Sequence, residues 1–464
     1  MKEDKLLQLL QLFTANELRS LKDFVRSPFF NKQESLIQLI DFLIDNVNIA
    51  FSDVEMYAAV CPDIAFDAAQ LSRLRYAAFT LVEQFVVMKT AKKEGDTLLL
   101  LDFYAENRME DLFFKTYQKY QKTLKRHSKK LNKFYYERFQ LEEIMARFQT
   151  QYQQREVLVH LPQMEENLNI AFIAQKLEMA CTSLSRKGVV VTDYQPEMLP
   201  EVLQYIENHS HILQHSAVLV YYHLYLMLRN PQETPFFERA VNIIQSYEED
   251  FGLEERKNLY GYLRNYCIAH INKGDQIFEF RLFEIYQTQL LNATLCDVQG
   301  KLSQAQFKNI VVVALRLGQT AWTANFLETY VACLPKKVQQ ETYQYCLARL
   351  LFAEKKFEQV NKILGNIHFE EIFFNIDARK LLIQSYFELK EWDLLDAAMN
   401  RFRVFLHRNK TISEPHKIAN RNFINLLSKI VENEHKVAKL PIKSLIEQTS
   451  PLAEKNWLLG LCEN

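Results

Sequence analysis

Glycine and proline are scarce in this 464-residue chain, at 9 and 11 residues. That shortage argues against a sheet-rich fold, whose tight turns consume both, and against a glycine-rich phosphate cradle. Neither G-x-x-x-x-G-K-[ST], G-x-G-x-x-G nor G-x-S-x-G occurs. The seven cysteines, at 61, 181, 267, 296, 333, 346 and 462, include no C-x-x-C. An odd, widely spaced set suits reduced and mostly buried thiols in a cytosolic protein. Charge of one sign is lacking as well: the formal net charge is -1, which in bulk argues neither for nucleic acid nor for a membrane surface. Long apolar runs are missing too. The stretch Ile310 to Leu315 covers about a third of a membrane span. The opening Met1 to Lys5 carries acids, and the leucines after it are broken by Gln8 and Gln11, so it reads as an amphipathic helix and not as a secretion signal. A soluble, cytoplasmic protein without cofactor or metal is expected.

What is present is helix-forming. Leu, Gln, Glu, Lys and Phe are plentiful, hydrophobic residues make up 48% and aromatics 12%, enough for a continuous core and against wholesale disorder. Length alone suggests two or three globular domains, but stacked repeats escape that count. Phe357 and Trp392 stand 35 residues apart, and the apolar positions around them align. Ala348 and Ile383 precede them by nine, Leu351 and Tyr386 by six. Val360 and Leu395 follow at three, Leu364 and Met399 at seven, Ile367 and Phe402 at ten. This spacing predicts consecutive helix–turn–helix units, each closed by one large aromatic.

On these residues the chain resembles the tetratricopeptide-like superhelical class, most specifically over 340–405, more loosely over 205–340, and in build alone over 98–190. It is also similar to uncharacterised bacterial helical-repeat proteins with an N-terminal helical module, a similarity that brings no activity with it. The resemblance implies an all-α, right-handed superhelical solenoid whose inner face is made by the first helix of each hairpin. Carried over from the Phe357 and Trp392 units, that face comprises Tyr345, Arg349, Lys380, Gln384 and Glu388, with Arg264 added from the Gly274-Asp275 unit. The chaperone-binding members of the class expect asparagine where this chain has Arg349 and Gln384, so that partner is not implied. Ile383 stands where the class has glycine or alanine.

Three segments are predicted. Residues 1–90 form a helical module, with capping boxes at Thr14–Glu17 and Ser52–Glu55, a weaker one at Asp67–Gln70, and a break at Pro28. Residues 96–440 form the solenoid, with a long helix over 109–131, another from about Gln163 stopping at Gly188, an extended stretch at 189–192 and an interrupting loop at 295–303. Trp322 reads as a degenerate repeat member. Residues 441–464 form two capping helices, the second capped by Ser450 with Pro451 at its first position and Trp457 packed inward.

Lys115, Lys119, Lys122, Arg126, Lys129, Lys130 and Lys133 recur at helical spacing, with Lys125 beside them and no acid between 112 and 136. They make either a solvated face whose charges meet acids on neighbouring helices or an anion surface for nucleic acid or an acidic peptide. His209, His211 and His215 lie close together without the carboxylate or cysteine of a metal motif. The acidic pairs Glu142-Glu143, Glu165-Glu166 and Glu254-Glu255 diverge on a helix and form no catalytic dyad. Lys32 to Asn46 carries Glu34, Asp41 and Asp45 and is too acidic for a groove-reading helix. The sequence thus predicts a non-enzymatic scaffold for a protein or peptide. A nucleic-acid-associated protein is the runner-up, and a peptide-sensing regulator the third reading.

Overall fold

A computed structural model of the protein describes residues 4–47, 49–62, 64–94, 96–126, 132–151, 160–186, 194, 196–297, 299–365, 369, 371–434 and 442–462. The expected extended stretch at 189–192 and the stop at Gly188 lie outside them. The fold is all-helical, about 80% helix, with no strand among the described residues. No helix among them is long and apolar enough to cross a membrane. The chain divides into two compact units, Met1–His127 with Phe134–Leu168, and Ser128–Lys133 with Asn169–Asn464.

The first unit contains α1 (Lys5–Gln11), α2 (Ala15–Arg26), α3 (Glu34–Asp45), α4 (Asp53–Val60), α5 (Ala68–Glu94), α6 (Thr97–Glu106), α7 (Glu110–Arg126), most of α8 (Asn132–Gln151) and the start of α9 (Leu161–Arg186). Thr14 with Glu17 and Ser52 with Glu55 make reciprocal capping boxes, each hydroxyl accepting an amide while the carboxylate accepts one in return. Asp67 accepts from the amides of Ala69 and Gln70. Leu21, Leu39, Leu43, Met56 and Val82 are buried in a core confined to α1–α5 and their connections. A separate cluster joins α6, α7 and α8, where the rings of Phe113 and Phe148 stack at 4.0 Å. The expected boundary near 91–96 falls between these two cores, yet α6–α8 belong to the same compact unit as α1–α5.

The second unit continues with α10 (Leu199–Asn208), α11 (Ser216–Arg229), α12 (Thr234–Tyr247), α13 (Leu253–Asn272), α14 (Ile277–Leu291), α15 (Gln304–Arg316), α16 (Thr320–Tyr330), α17 (Lys336–Ala353), α18 (Phe357–Leu364), α19 (Ile372–Glu388), α20 (Trp392–Arg408), α21 (Glu414–Glu434), α22 (Ile442–Gln448) and α23 (Lys455–Gly460). Consecutive helices pack as pairs, α11 with α12 through α19 with α20, and α17 also packs against α15 and α19. Ala348, Ile383, Leu351, Val360, Leu395, Leu364, Met399 and Phe402 are buried, eight of the ten aligned positions; Tyr386 is half-buried, and Ile367 lies outside the described residues. Phe357 and Trp392 are only half-buried; Trp392 meets Phe387 edge-on at 5.8 Å. After Trp322, Phe326 and Leu327 are buried and Asn325 and Thr329 exposed, so the buried positions are out of phase with those after Phe357 and Trp392.

Four of these five pairs, from α13–α14 to α19–α20, close with one recurring turn. At Gly274, Gly318, Lys355 and Lys390 the backbone is left-handed, with φ of 96°, 69°, 61° and 59°. In each, that residue's amide bonds back into the last turn, and the next amide reaches one carbonyl deeper, as Lys390 to Phe387 and Glu391 to Tyr386. Both bonds satisfy carbonyls that the helix end leaves orphaned. The C-terminal helices are part of the core: Ile442, Ile446 and Leu458 are buried with Phe423, Leu427 and Ile383. Pro451 is not at the first position of the last helix. That helix starts at Lys455 behind Glu454, whose φ is 53°.

Candidate functional site

The first helices α15, α17 and α19 bring Lys308, Arg349, Lys380 and Asp377 together, and the chain's own end completes the group. Lys380 Nζ lies 3.1 Å from Asp377 and 2.7 Å from Glu454, and Lys308 Nζ lies 3.0 Å from Asp377. Lys308 also stands over the ring of Phe374, itself edge-on to Tyr345. Burial pushes the carboxyls of Asp377 and Glu454 up, but the neighbouring cations more than reverse this, and both sit below their ordinary values. Burial likewise opposes the charge of Arg349, yet Tyr345, Glu454 and Asp377 raise its pKa.

An open inner face at these positions is therefore corrected. Tyr345 and Gln384 are buried, at 1% and 4% exposure. Arg349 is half-buried, and the Lys380 side chain is 14% exposed. Glu388 alone of this group is exposed, and it accepts a hydrogen bond from Trp457 Nε1. The spacing argument finds residues that converge, but it has no access to Glu454 and Trp457, which arrive from the far end of the chain and cover them.

Arg264 meets a different environment. It lies on α13 seven residues after Lys257, about two helical turns along one face. Both line a cavity of about 380 Å³ bounded by the connection after α14 and the start of α15. Lys301, Leu295, Leu302 and Pro335 complete much of the wall. Arg264 is partly buried and donates to the amide oxygen of Gln289, which is fully buried and held by Thr294. No carboxylate among the described residues pairs with it, and burial lowers its pKa. Asp297, the lining carboxylate, accepts from the amides of Gln299 and Lys301 and so folds its own loop. The start of α15 is a third capping box, Ser303 with Gln306, within the expected interrupting loop and its border.

On α7, Lys115, Lys119 and Lys122 are exposed and make no ion pair with any described residue, while Phe113, Tyr117 and Leu124 are buried behind them. The side chain of Arg126 and residues Lys129 and Lys130 lie outside the described residues. Lys133 is exposed on α8, and residues 127–131 between it and α7 lie outside the described residues.

The adjacent acids diverge as expected. Glu254 is exposed and pairs with Lys257, whereas Glu255 turns inward to accept from Tyr221 at 3.2 Å. Glu178 on α9 also meets Tyr221, so one phenol on α11 serves two carboxylates from different helices. Burial, reinforced by Glu178, pushes the Glu255 carboxyl up to about 7. In the first unit, Glu142 is buried between Tyr117 and His160 Nδ1, at 2.7 Å from the latter, while Glu143 is exposed. These constellations join residues far apart in sequence, and no local pattern announces them. No protein-family model, curated protein or solved structure matches the chain.

Proposed function

We propose that the chain is a non-enzymatic, tetratricopeptide-like solenoid that takes a protein or peptide along the faces of its first helices. The observation that carries this reading is the docking of Glu454 on Lys380, beside Arg349, across the adjoining helices α17 and α19. A segment from outside the hairpins, bearing a carboxylate, is the kind of ligand that face accommodates. Glu454 already occupies this stretch, and Ile268 on α13 offers an exposed apolar residue outside it for a partner. Repeats that bury their faces only on neighbours suit such a surface. The test places a photo-crosslinking residue at Ile268 and identifies proteins and nucleic acids recovered from the native cell at two salt concentrations. A defined protein recovered at both supports the scaffold. Recovery of nucleic acid alone, lost at high salt, moves the function to the basic face of α7, whose three exposed lysines pair with no described acid and favour that second reading.

A further inference from the structure

We propose that the cavity between α13 and the start of α15 binds a small organic dianion, a phosphate monoester or dicarboxylate on an apolar body. The argument is one of charge left over. Buried cations are ordinarily paired, because a desolvated charge without a counter-charge is costly. The two arginines expected on the first-helix face obey this differently. Arg349 is given Glu454 and Asp377 by the chain itself, whereas Arg264 is given only the neutral amide of Gln289. Lys257 and Lys301 line the same cavity, and Asp297 is the one lining carboxylate against these three cations. That carboxylate is already engaged by two loop amides. Lys257 is paired to Glu254, but the Glu254 side chain is 70% exposed, so solvent weakens that compensation. Lys301 Nζ donates to the Ala332 carbonyl oxygen, which brings no counter-charge. Arg264, Lys257 and Lys301 against Asp297 leave the lining residues two positive charges in excess, offset in part by the solvated Glu254 beside Lys257, and a dianion matches that excess better than a monocarboxylate.

Size and walls fix the rest. A volume of about 380 Å³ lies at the small end of ligand sites and suits a small organic molecule. Leu295, Leu302 and Pro335 offer apolar surface opposite the cations, so the anion should carry a hydrocarbon or aromatic body. Arg264 is pre-positioned: Gln289 holds the guanidinium while Thr294 holds Gln289, and a planar fork fixed in this way suits phosphate or carboxylate oxygens. This site does not depend on the scaffold reading, since a small ligand and a protein partner are detected separately.

The test titrates the full chain by calorimetry at low salt with phenyl phosphate, with glutarate and with neutral benzyl alcohol. One or both anions should bind at one per chain, and the alcohol should not; whichever binds identifies the source of the dianion. Arg264→Gln should weaken binding about tenfold or more, the loss of a charge-assisted hydrogen bond. Because that change also removes the donor to Gln289, Lys257→Gln serves as a second variant that leaves the Arg264–Gln289 contact in place, and it should weaken binding several-fold. Saturation should also slow maleimide labelling of Cys296, which lines the cavity, as read by peptide mass spectrometry. Failure of both anions to bind wild-type protein overturns the proposal. So does binding that leaves Cys296 labelling and the Lys257→Gln affinity unchanged, which would place the anion elsewhere, for instance on α7.

Discussion

Lys380 Nζ and Glu454 Oε1 lie 2.7 Å apart although the residues are 74 positions apart in sequence. This pair ties the last helix segment to the first helix of the terminal hairpin, and Asp377 and Lys308 extend it to α15. The Lys380 and Glu454 side chains are 14% and 24% exposed, so the contact is far less screened than a surface pair.

Breaking this contact should destabilise the protein. Glu454→Gln keeps shape but removes the charge, and is expected to cost about 1–3 kcal/mol at neutral pH, less than a fully buried pair because some solvent remains. Glu454 and Asp377 have lowered pKa values, so their stabilisation is complete above the ordinary carboxylate range and fades as pH falls through the lowered values. Urea midpoints of wild type and Glu454→Gln should therefore differ at pH 7 and converge in strong acid. Equal midpoints at pH 7 would show that the pair contributes nothing. The double change Arg349→Glu with Lys380→Glu should also destabilise markedly, since it places two acids beside Glu454 and Asp377.

Glu255 gives the opposite pH sign. Its folded pKa is raised to about 7, so between the ordinary glutamate value and about pH 7 the folded state holds a proton that the unfolded chain has released. Its contribution to stability falls across that window and is flat above it. Glu255→Gln keeps an acceptor for Tyr221 without the charge. It should raise stability on the order of 1–2 kcal/mol at pH 8, after allowance for solvent screening, and little at pH 5. Thermal midpoints at the two pH values check this; a variant less stable than wild type at pH 8 would contradict it.

The recurring turns make a backbone prediction. Lys355 and Lys390 are exposed, and their φ values of 61° and 59° place them where a side chain is disfavoured by about 1–2 kcal/mol. Lys390→Gly should therefore stabilise by about 0.5–1 kcal/mol once the looser unfolded chain is counted. Gly274→Ala should do the reverse, because φ is 96° there even though the space around the new methyl is open. Chemical denaturation of the two single variants measures both signs. A stabilising Gly274→Ala would remove the steric argument.

What the sequence disclosed followed range. Capping boxes at Thr14 and Ser52, and the buried series from Ala348 to Phe402, depend on neighbours within a few turns, where periodicity is decisive. The turns at Lys355 and Lys390 were illegible because neither carries the glycine or asparagine that marks a left-handed residue. The site divided in the same way. Arg264, Arg349 and Lys380 lie on α13, α17 and α19, but their surroundings are decided by remote residues, Glu454 for the last two and the connection after α14 for the first. The shared phenol of Tyr221 between Glu178 and Glu255 had no local signature at all.

The basic face of α7 makes the last demand. Lys115, Lys119 and Lys122 are exposed, carry no ion pair to a described residue, and stand opposite the buried Phe113, Tyr117 and Leu124. No acid among the described residues pairs with these three, which favours a polyanion as their partner. If this face engages about five phosphates of a single strand, affinity should fall with salt on a log–log slope near -3.5, at about 0.7 per phosphate. Replacing the three lysines with glutamine should reduce the slope by about 2, in proportion to the phosphates lost. Because all three side chains are solvated, the helical spectrum and thermal midpoint should be nearly unchanged, which separates a lost surface from a lost fold. Fluorescence anisotropy with a labelled oligonucleotide across a salt series reads the slope directly. No binding at about 50 mM salt, where this electrostatic attraction is strong, would leave these lysines as a solvated face. A slope unchanged in the triple variant would assign any binding to other cations.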